Sequence, residues 1–267
     1  MRVASHRLVD HEFRALEHFG GVIEPRFVVV HYTAGGSLDG SFAALDRVGL
    51  SAHVLLDRDG TVVQLVEFNR RAFHAGQSRW KGFTGLNHHS IGIEVCNYGW
   101  LLRRGDGRFQ RPGETPVFEP EQVVVASHRN GWPRDVGWEI YPPKQLAALR
   151  ELCAALLDAY PSIGEIVGHD DIAPERKQDP GPAMPMASLQ HLTERGGAGD
   201  AGRSYEVIAR NGLRLRAGPG TEHAVVAVMR AGQRVTVTDD QGVWYPVDLE
   251  GDGAIDGFAH GDFLRAV

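Results

Sequence analysis

Short apolar runs with a period of two account for most of the hydrophobic pattern in the first part of the chain. Residues 27–30 (FVVV) predict a buried strand that ends at His31. Residues 91–95 (IGIEV) alternate between apolar positions and positions held by glycine and glutamate, which predicts a second strand. Residues 52–56 and 62–66 predict two further strands, and the Asp-Gly pair between them is typical of a hairpin turn.

A helical period of three to four residues appears in other segments. Residues 142–160 predict the longest helix, because Leu146, Leu149 and Leu156 recur on one face and a proline follows. Residues 41–48 predict a short helix, and another is expected near residues 11–19. Residues 99–119 show neither period, so a long irregular segment is expected there.

The pattern changes in the last third of the chain. Residues 192–204 contain four glycines and no large apolar residue after the first position, which predicts a flexible linker. Residues 205–267 consist of short apolar runs separated by turns, which predicts a small antiparallel β-barrel. We therefore expect a first domain over residues 1–191, with its core at about 25–190, then the linker and a second domain.

Composition narrows the functional classes. A formal net charge of −6 argues against a nucleic-acid partner. The two cysteines lie far apart, so neither a disulfide framework nor a cysteine zinc site is indicated. Thirteen histidines make metal or acid–base chemistry worth considering. We expect no membrane span, because no apolar run approaches about 18 residues, and we see no signal peptide at the start of this chain.

One loop, residues 168–182, concentrates the candidate chemistry. Its three prolines prevent a helix from running through it. Lys177 and Asp179 lie two positions apart in an extended segment, so their side chains are expected on one side. Together with His169 they indicate a metal site with an adjacent cation. A solvated surface loop with a capping aspartate is the alternative.

Two strand positions add to these candidates. His31 stands at the end of a buried strand, before a loop of small residues, where active-site groups are common; a structural histidine is the alternative. Glu94 shares a strand face with Gly92, which would leave room for a ligand. An edge strand with Glu94 in water is the alternative there.

Several motifs resemble those of one enzyme family. They are residues 29–33 (VVHYT), 51–53 (SAH), 57–60 (DRDG), 74–76 (HAG), 90–94 (SIGIE) and the loop 168–182 (GHDDIAPERKQDPGP). Together they resemble the zinc-dependent N-acetylmuramoyl-L-alanine amidases of the type-2 amidase family, which includes the peptidoglycan recognition proteins. Residues 213–220 (LRLRAGPG) are similar to the signature of bacterial SH3-type wall-binding domains.

The resemblance implies a fold and a set of site residues. The fold would be α/β, with a central mixed β-sheet flanked by helices, followed by a small SH3-like barrel. Zinc would be bound by His31, His169 and Asp179, with Glu94 as general base and Lys177 as the cation that stabilises the oxyanion. Substrate contacts are expected from three further side chains, His53, His74 and Asn97.

The resemblance also implies a substrate. The expected reaction is hydrolysis of the amide between the muramic acid lactyl group and L-alanine, on peptidoglycan or muropeptides. The SH3-type segment favours intact cell wall, outside the cytoplasm or after phage-type release. Two alternatives are a cytoplasmic amidase that recycles soluble anhydromuropeptides and a recognition protein without activity. Oligomeric state is left open.

Overall fold

The computed structural model describes residues 1–113, 116–193, 203–238, 240, 243–251 and 255–267. These residues form two compact units, Met1–Met184 and Pro185–Val267. Most of the predicted linker lies outside the described residues. The domain bounds 1–191 and 205–267 therefore stay a prediction.

The first unit combines many short strands with three helices. Its strands are β1 (Val3–Ala4), β2 (Arg7–Leu8), β3 (Glu12–Phe13), β4 (Phe19–Val22), β5 (Phe27–Tyr32), β6 (Val54–Leu56), β7 (Val62–Gln64), β8 (Arg70–Ala72), β9 (Arg79–Trp80), β10 (Phe83–Thr84), β11 (Ser90–Val95), β12 (Trp100–Arg103), β13 (Phe109–Gln110), β14 (Val117–Phe118), β15 (Val123–Ala126), β16 (Val136–Glu139) and β17 (Glu165–Gly168). Its helices are α1 (Leu38–Arg47), α2 (Pro143–Ala159) and α3 (His169–Ile172).

The main sheet has the strand order β17-β5-β11-β6-β7-β3. Strands β17, β5, β11 and β6 run parallel, and β6 and β7 form the predicted antiparallel hairpin. The expectation of a mixed sheet is therefore confirmed. Because β11 lies between β5 and β6, the edge-strand alternative for Glu94 is wrong. Ile91, Ile93 and Val95 on its other face are fully buried.

A second sheet corrects the expectation of an irregular segment at 99–119. Strands β12, β13 and β14 lie in this segment and form an antiparallel sheet of order β14-β13-β12-β16-β15. Leu101, Phe109, Phe118 and Val123 give it a small core of its own. The strands are too short to show a period, and β12 gains its partner β16 from much further along the chain.

The expected helix near residues 11–19 is also wrong. The segment is extended, and β3 pairs in parallel with β7 at the edge of the main sheet. Backbone hydrogen bonds from Arg14 and Leu16 to this hairpin continue the contact, and the Leu16 side chain is buried. Tertiary pairing therefore outweighs the weak local helical pattern.

The predicted longest helix is confirmed as α2. It carries a buried glutamine that the periodicity does not explain. The Gln145 side chain donates hydrogen bonds to the carbonyl oxygens of Leu56 (3.3 Å) and Cys96 (2.9 Å). These carbonyls lie at the ends of β6 and β11, so Gln145 ties the helix to the main sheet.

The second unit contains α4 (Met186–Gln190) and the strands β18 (Arg203–Val207), β19 (Leu213–Arg216), β20 (Val225–Met229), β21 (Arg234–Val237), β22 (Trp244–Asp248), β23 (Gly257–His260) and β24 (Leu264–Ala266). These strands form an antiparallel sheet of order β20-β19-β23-β22-β21-β18-β24. Its core includes Val207, Leu215, Met229 and Val247. The expected small all-β part is confirmed. Across the described residues of both units, no helix has the length and apolar character needed to span a bilayer.

Candidate metal centre and catalytic cleft

Three buried side chains converge at one end of the main sheet. The Nδ1 atoms of His31 and His169 lie 2.8 Å apart, and Oδ2 of Asp179 lies 3.0 Å from the first and 2.9 Å from the second. All three residues are buried. The structure thus brings together the three predicted metal ligands, although 138 residues separate the two histidines in the chain.

The sheet register explains how the two histidines meet. His31 lies near the end of β5, and β17 runs parallel beside it with Gly168 opposite Val30. His169 is the next residue, so it comes level with His31. Neighbouring parallel strands direct side chains at the same level to the same face. The register therefore places both imidazoles on one side.

Backbone contacts return Asp179 to this point. The chain leaves through α3 and the proline-rich loop, and the amide of Asp170 then donates to the carbonyl oxygen of Asp179 at 2.8 Å. The hydroxyl of Tyr141 donates to the carbonyl oxygen of Pro180, also at 2.8 Å. The one-turn helix α3 ends before the first proline, in agreement with the expectation that no helix passes through the loop.

Hydrogen bonds identify which imidazole nitrogens face the cluster. Nε2 of His169 lies 3.0 Å from the carbonyl oxygen of Ala75, which can only accept, so this nitrogen carries the proton. Nδ1 of His169 is then the nitrogen that faces Asp179, 2.9 Å from its Oδ2 atom. Nε2 of His31 is likewise engaged, 2.9 Å from Nδ1 of His74. Each of the two predicted ligand histidines therefore has its outer nitrogen bonded to the protein and its inner nitrogen facing the cluster.

The charge state suits a divalent cation. Burial, followed by the neighbouring His169, lowers the pKa of His31 to about 4. Burial of Asp179 opposes its ionisation, but His169 and His31 hold the pKa of this carboxyl well below its usual range. Two imidazoles and a carboxylate, whose inner atoms lie within 3.0 Å of one another, match the donor set of an open zinc site. The residues present therefore fit a metal ion.

Glu94 lies beside this cluster. It is the register partner of His31 in the parallel pair β11–β5, so the two side chains share a face. Its Oε2 atom is buried and has no hydrogen-bond partner among the described residues. Burial, followed by the charge of Asp179, raises the pKa of Glu94 to about 8, and Lys177 partly opposes this shift. Glu94 is therefore suited to taking up a proton.

A single cleft of about 420 Å³ contains these groups. It is lined by the three predicted ligand side chains and by Glu94, Lys177 and His74. Lys177 and Asp179 thus face the same space, as expected from their spacing. The second sheet contributes Trp100, and the segment after β13 contributes Arg111.

The space beside Gly92 is occupied by a side chain of the protein. A Cβ atom at this position would lie 2.4 Å from Cγ of His74. The expectation that Gly92 leaves room for a ligand is therefore wrong: the glycine admits the His74 ring. His74 also lies 3.3 Å, through Nε2, from Oγ of Ser90.

Two further predicted substrate contacts lie in the interior. Nδ1 of His53 accepts from the amide of Gly92 (2.9 Å), and Nε2 donates to the carbonyl of Arg70 (2.8 Å). Asn97 is buried, accepts from the amide of Gly99 and donates to the carbonyl of Glu139. Their contact with substrate stays a prediction, and these bonds indicate structural roles.

The sequence did not predict a hydrogen-bond network around Asp170. This buried carboxylate lies 3.0 Å from Nε2 of His128 and accepts hydrogen bonds from Arg129 at 3.2 and 2.7 Å. Asn130 donates to its backbone carbonyl. The network fixes the loop at 127–135 to the residue next to His169. A His-Arg-Asn run without periodicity carries no signal that a distant carboxylate is its partner.

Comparison with known proteins gives two family matches and several relatives. Residues 22–182 match the family described as N-acetylmuramoyl-L-alanine amidase, and residues 211–265 match the bacterial SH3 domain. The chain is 35% identical over 155 residues to 1,6-anhydro-N-acetylmuramyl-L-alanine amidase AmpD of Escherichia coli, covering 58% of this chain and 64% of that protein. It is 33% identical over 172 residues to N-acetylmuramoyl-L-alanine amidase AmiD of Escherichia coli, covering 61% and 51%.

A solved structure is similar as well. It is the complex of AmiD from E. coli with the substrate anhydro-N-acetylmuramic acid-L-Ala-D-gamma-Glu-L-Lys, at 30% identity, with 68% of this chain and 62% of that chain covered and a TM-score of 0.48. The chain thus spans between half and two thirds of the length of the two curated relatives. Since the family match extends over more than half of the chain, the chain belongs to the N-acetylmuramoyl-L-alanine amidase family.

Proposed function

We propose that this protein hydrolyses the amide between the lactyl group of N-acetylmuramic acid and the L-alanine of the peptidoglycan stem peptide. One observation carries the proposal. The inner nitrogens of His31 and His169 and a carboxylate oxygen of Asp179 converge in one cleft that Glu94 also lines. Oε2 of Glu94 has no hydrogen-bond partner among the described residues. The family match and the names of the relatives support it.

His31, His169 and Asp179 would hold a zinc ion. Bound zinc would lower the pKa of water to about 7 and polarise the scissile carbonyl. The protein supplies the orientation: Ala75 and His74 engage the outer nitrogens of the two ligand histidines. Such outer partners set the tautomer and the ring position of metal-binding histidines.

Glu94 would carry the proton. Its buried carboxylate takes a proton from the attacking water as the new C–O bond forms, and delivers it to the nitrogen as the C–N bond breaks. The products are the lactyl carboxylate and a peptide with a free L-alanine amine. The ammonium of Lys177 faces the same cleft and would stabilise negative charge on the carbonyl oxygen.

The physical state of the substrate has two candidates. The SH3 match over residues 211–265 favours intact cell wall. The name of one relative, a 1,6-anhydro-N-acetylmuramyl-L-alanine amidase, favours soluble anhydromuropeptides. Rates on purified sacculi and on soluble anhydromuropeptides separate the two.

The test is mass spectrometry of soluble products from both substrates, with and without a zinc chelator. We expect free peptides that begin with L-alanine, lost on chelation and restored by zinc. Glu94→Gln should keep zinc and lose turnover, whereas Asp179→Ala should lose both. Glu24→Gln, at an exposed residue, is the matched control. Binding to sacculi without release of peptide from either sacculi or soluble anhydromuropeptides would overturn the proposal in favour of a recognition protein.

A further inference from the structure

Two tryptophans form an aromatic pair beside the cleft. Trp100 of β12 lines the cleft, and the ring centroids of Trp100 and Trp132 lie 5.8 Å apart in an edge-to-face arrangement. Trp132 is 58% exposed. Leaving so much of an indole in water forgoes the burial that normally stabilises a protein. Exposed indoles next to a catalytic cleft are therefore candidates for contact with a ligand.

The pair is held rigidly relative to the metal ligands. Trp100 is the register partner of Trp138, which is buried. Trp138 packs closely on Gly181, two residues after Asp179, where a Cβ atom would lie 2.4 Å from the indole. Rigid aromatic groups bind with little loss of side-chain entropy.

The loop that carries Trp132 is held in place by ion pairs of Arg129. Arg129, three residues before it, forms ion pairs with Asp170 and Asp171, each at 2.7 Å. These carboxylates directly follow His169. The loop that carries Trp132 is therefore tied to the same segment that carries a metal ligand.

The cleft has an aliphatic part and a second part formed by an indole and a guanidinium. Leu45, Val48 and Leu50, at and after the end of α1, contribute an aliphatic part. The second sheet contributes the indole of Trp100, with the guanidinium of Arg111 5.5 Å from its ring centroid. A pyranose ring has an apolar face bordered by hydroxyl groups, and this combination of indole and cation matches it.

We propose that Trp100 and Trp132 form a glycan subsite, in which Trp132 contacts the sugar next to the muramic acid whose peptide is cleaved. This inference rests on the proposed function for the placement of the muramic acid. Trp100 lies in the cleft and contacts the first sugar, and Trp132 lies beyond it and contacts the second. The subsite would make substrates with two or more sugars bind better than those with one.

The test measures binding in the Glu94→Gln background, where substrate is not consumed. Calorimetry compares a muropeptide with two sugars against one with the muramic acid alone. Trp132→Ala should weaken binding of the first on the order of 3- to 10-fold, as for an aromatic contact, and leave the second unchanged. Val125→Ala, at a 61% exposed residue of β15 in the second sheet, is the control and should change neither.

An equal loss for both ligands, or no loss for either, would overturn the subsite. Amidase activity of the protein with Glu94 intact is measured separately, so failure of the subsite and failure of the proposed function give different results.

Discussion

Nε2 of His31 lies 2.9 Å from Nδ1 of His74, and the opposite nitrogen of His31 faces Asp179. If the inner nitrogen of His31 is a lone pair, Nε2 carries the proton and donates to His74. His74 then donates through Nε2 to Ser90 Oγ at 3.3 Å, and Ser90 donates to the carbonyl of Leu86 at 2.6 Å. Each proton donated in this series of hydrogen bonds has one acceptor, so the series fixes the tautomer of His31.

Replacing His74 should therefore weaken metal binding. We expect His74→Ala to lower zinc affinity about 10- to 100-fold, the usual effect of losing a partner of a metal-bound histidine. Competition with a chelating dye measures the affinity, and circular dichroism checks the fold. His88→Ala, at an exposed histidine, should leave the affinity unchanged. Wild-type affinity in His74→Ala would show that the contact does not orient His31.

A substitution at Gly92 tests how the ring of His74 packs on strand β11. The Cβ atom of Gly92→Ala would meet the buried ring of His74 at 2.4 Å. We expect a loss of about 1–3 kcal/mol in the free energy of unfolding, typical of overpacking, together with reduced zinc affinity. Gly164→Ala adds its Cβ in open space and should stay within about 0.5 kcal/mol of wild type. Urea denaturation distinguishes the two variants, and equal stabilities would contradict the steric argument.

His53 should make stability depend on pH. Burial lowers the pKa of His53 to about 4 in the folded protein, from 6.5. Below 6.5 the unfolded chain therefore binds a proton that the folded chain does not. The contribution of neutral His53 to the free energy of unfolding is complete above about pH 6.5 and is lost as the pH falls towards 4. The total loss is on the order of 3 kcal/mol at most.

The comparison uses His53→Gln, which cannot take up this proton. Unfolding free energies from urea denaturation at about pH 7 and about pH 5 should fall less steeply with acid in His53→Gln than in wild type. The other histidines are the same in both proteins, so the difference in slope is assigned to His53. If the unfolding free energy fell equally with acid in both proteins, His53 would not be a source of acid sensitivity.

The two cysteines should resist alkylation. Burial raises the pKa of Cys96 and of Cys153 to about 12, and both side chains are fully buried. Since the thiolate is the reactive form, iodoacetamide should modify neither in the native protein near neutral pH, and both after denaturation. Intact mass spectrometry counts the added groups, and rapid native labelling would contradict the burial.

Local patterns determined the strands and helices with strong periodicity. The strand that ends at His31, the alternating strand with Glu94 and the helix α2 all follow from residue spacing, because one buried face imposes a period of two or about 3.6. The prolines around Asp179 equally predicted a non-helical loop, since proline restricts the backbone whatever its surroundings. The family motifs indicated His31, His169 and Asp179 as a ligand set.

Tertiary structure decided which of these groups meet. Parallel pairing of β5 with β17 brings His169 level with His31, and no local signal specifies this register. A contact between distant segments also places the ring of His74 over Gly92, where the sequence suggested space for a ligand. It also converted the aperiodic residues 99–119 into part of a second sheet that carries Trp100 to the cleft. Local spacing limits the conformation of a segment, whereas contacts between distant segments are selected by burial and hydrogen bonding of the whole fold.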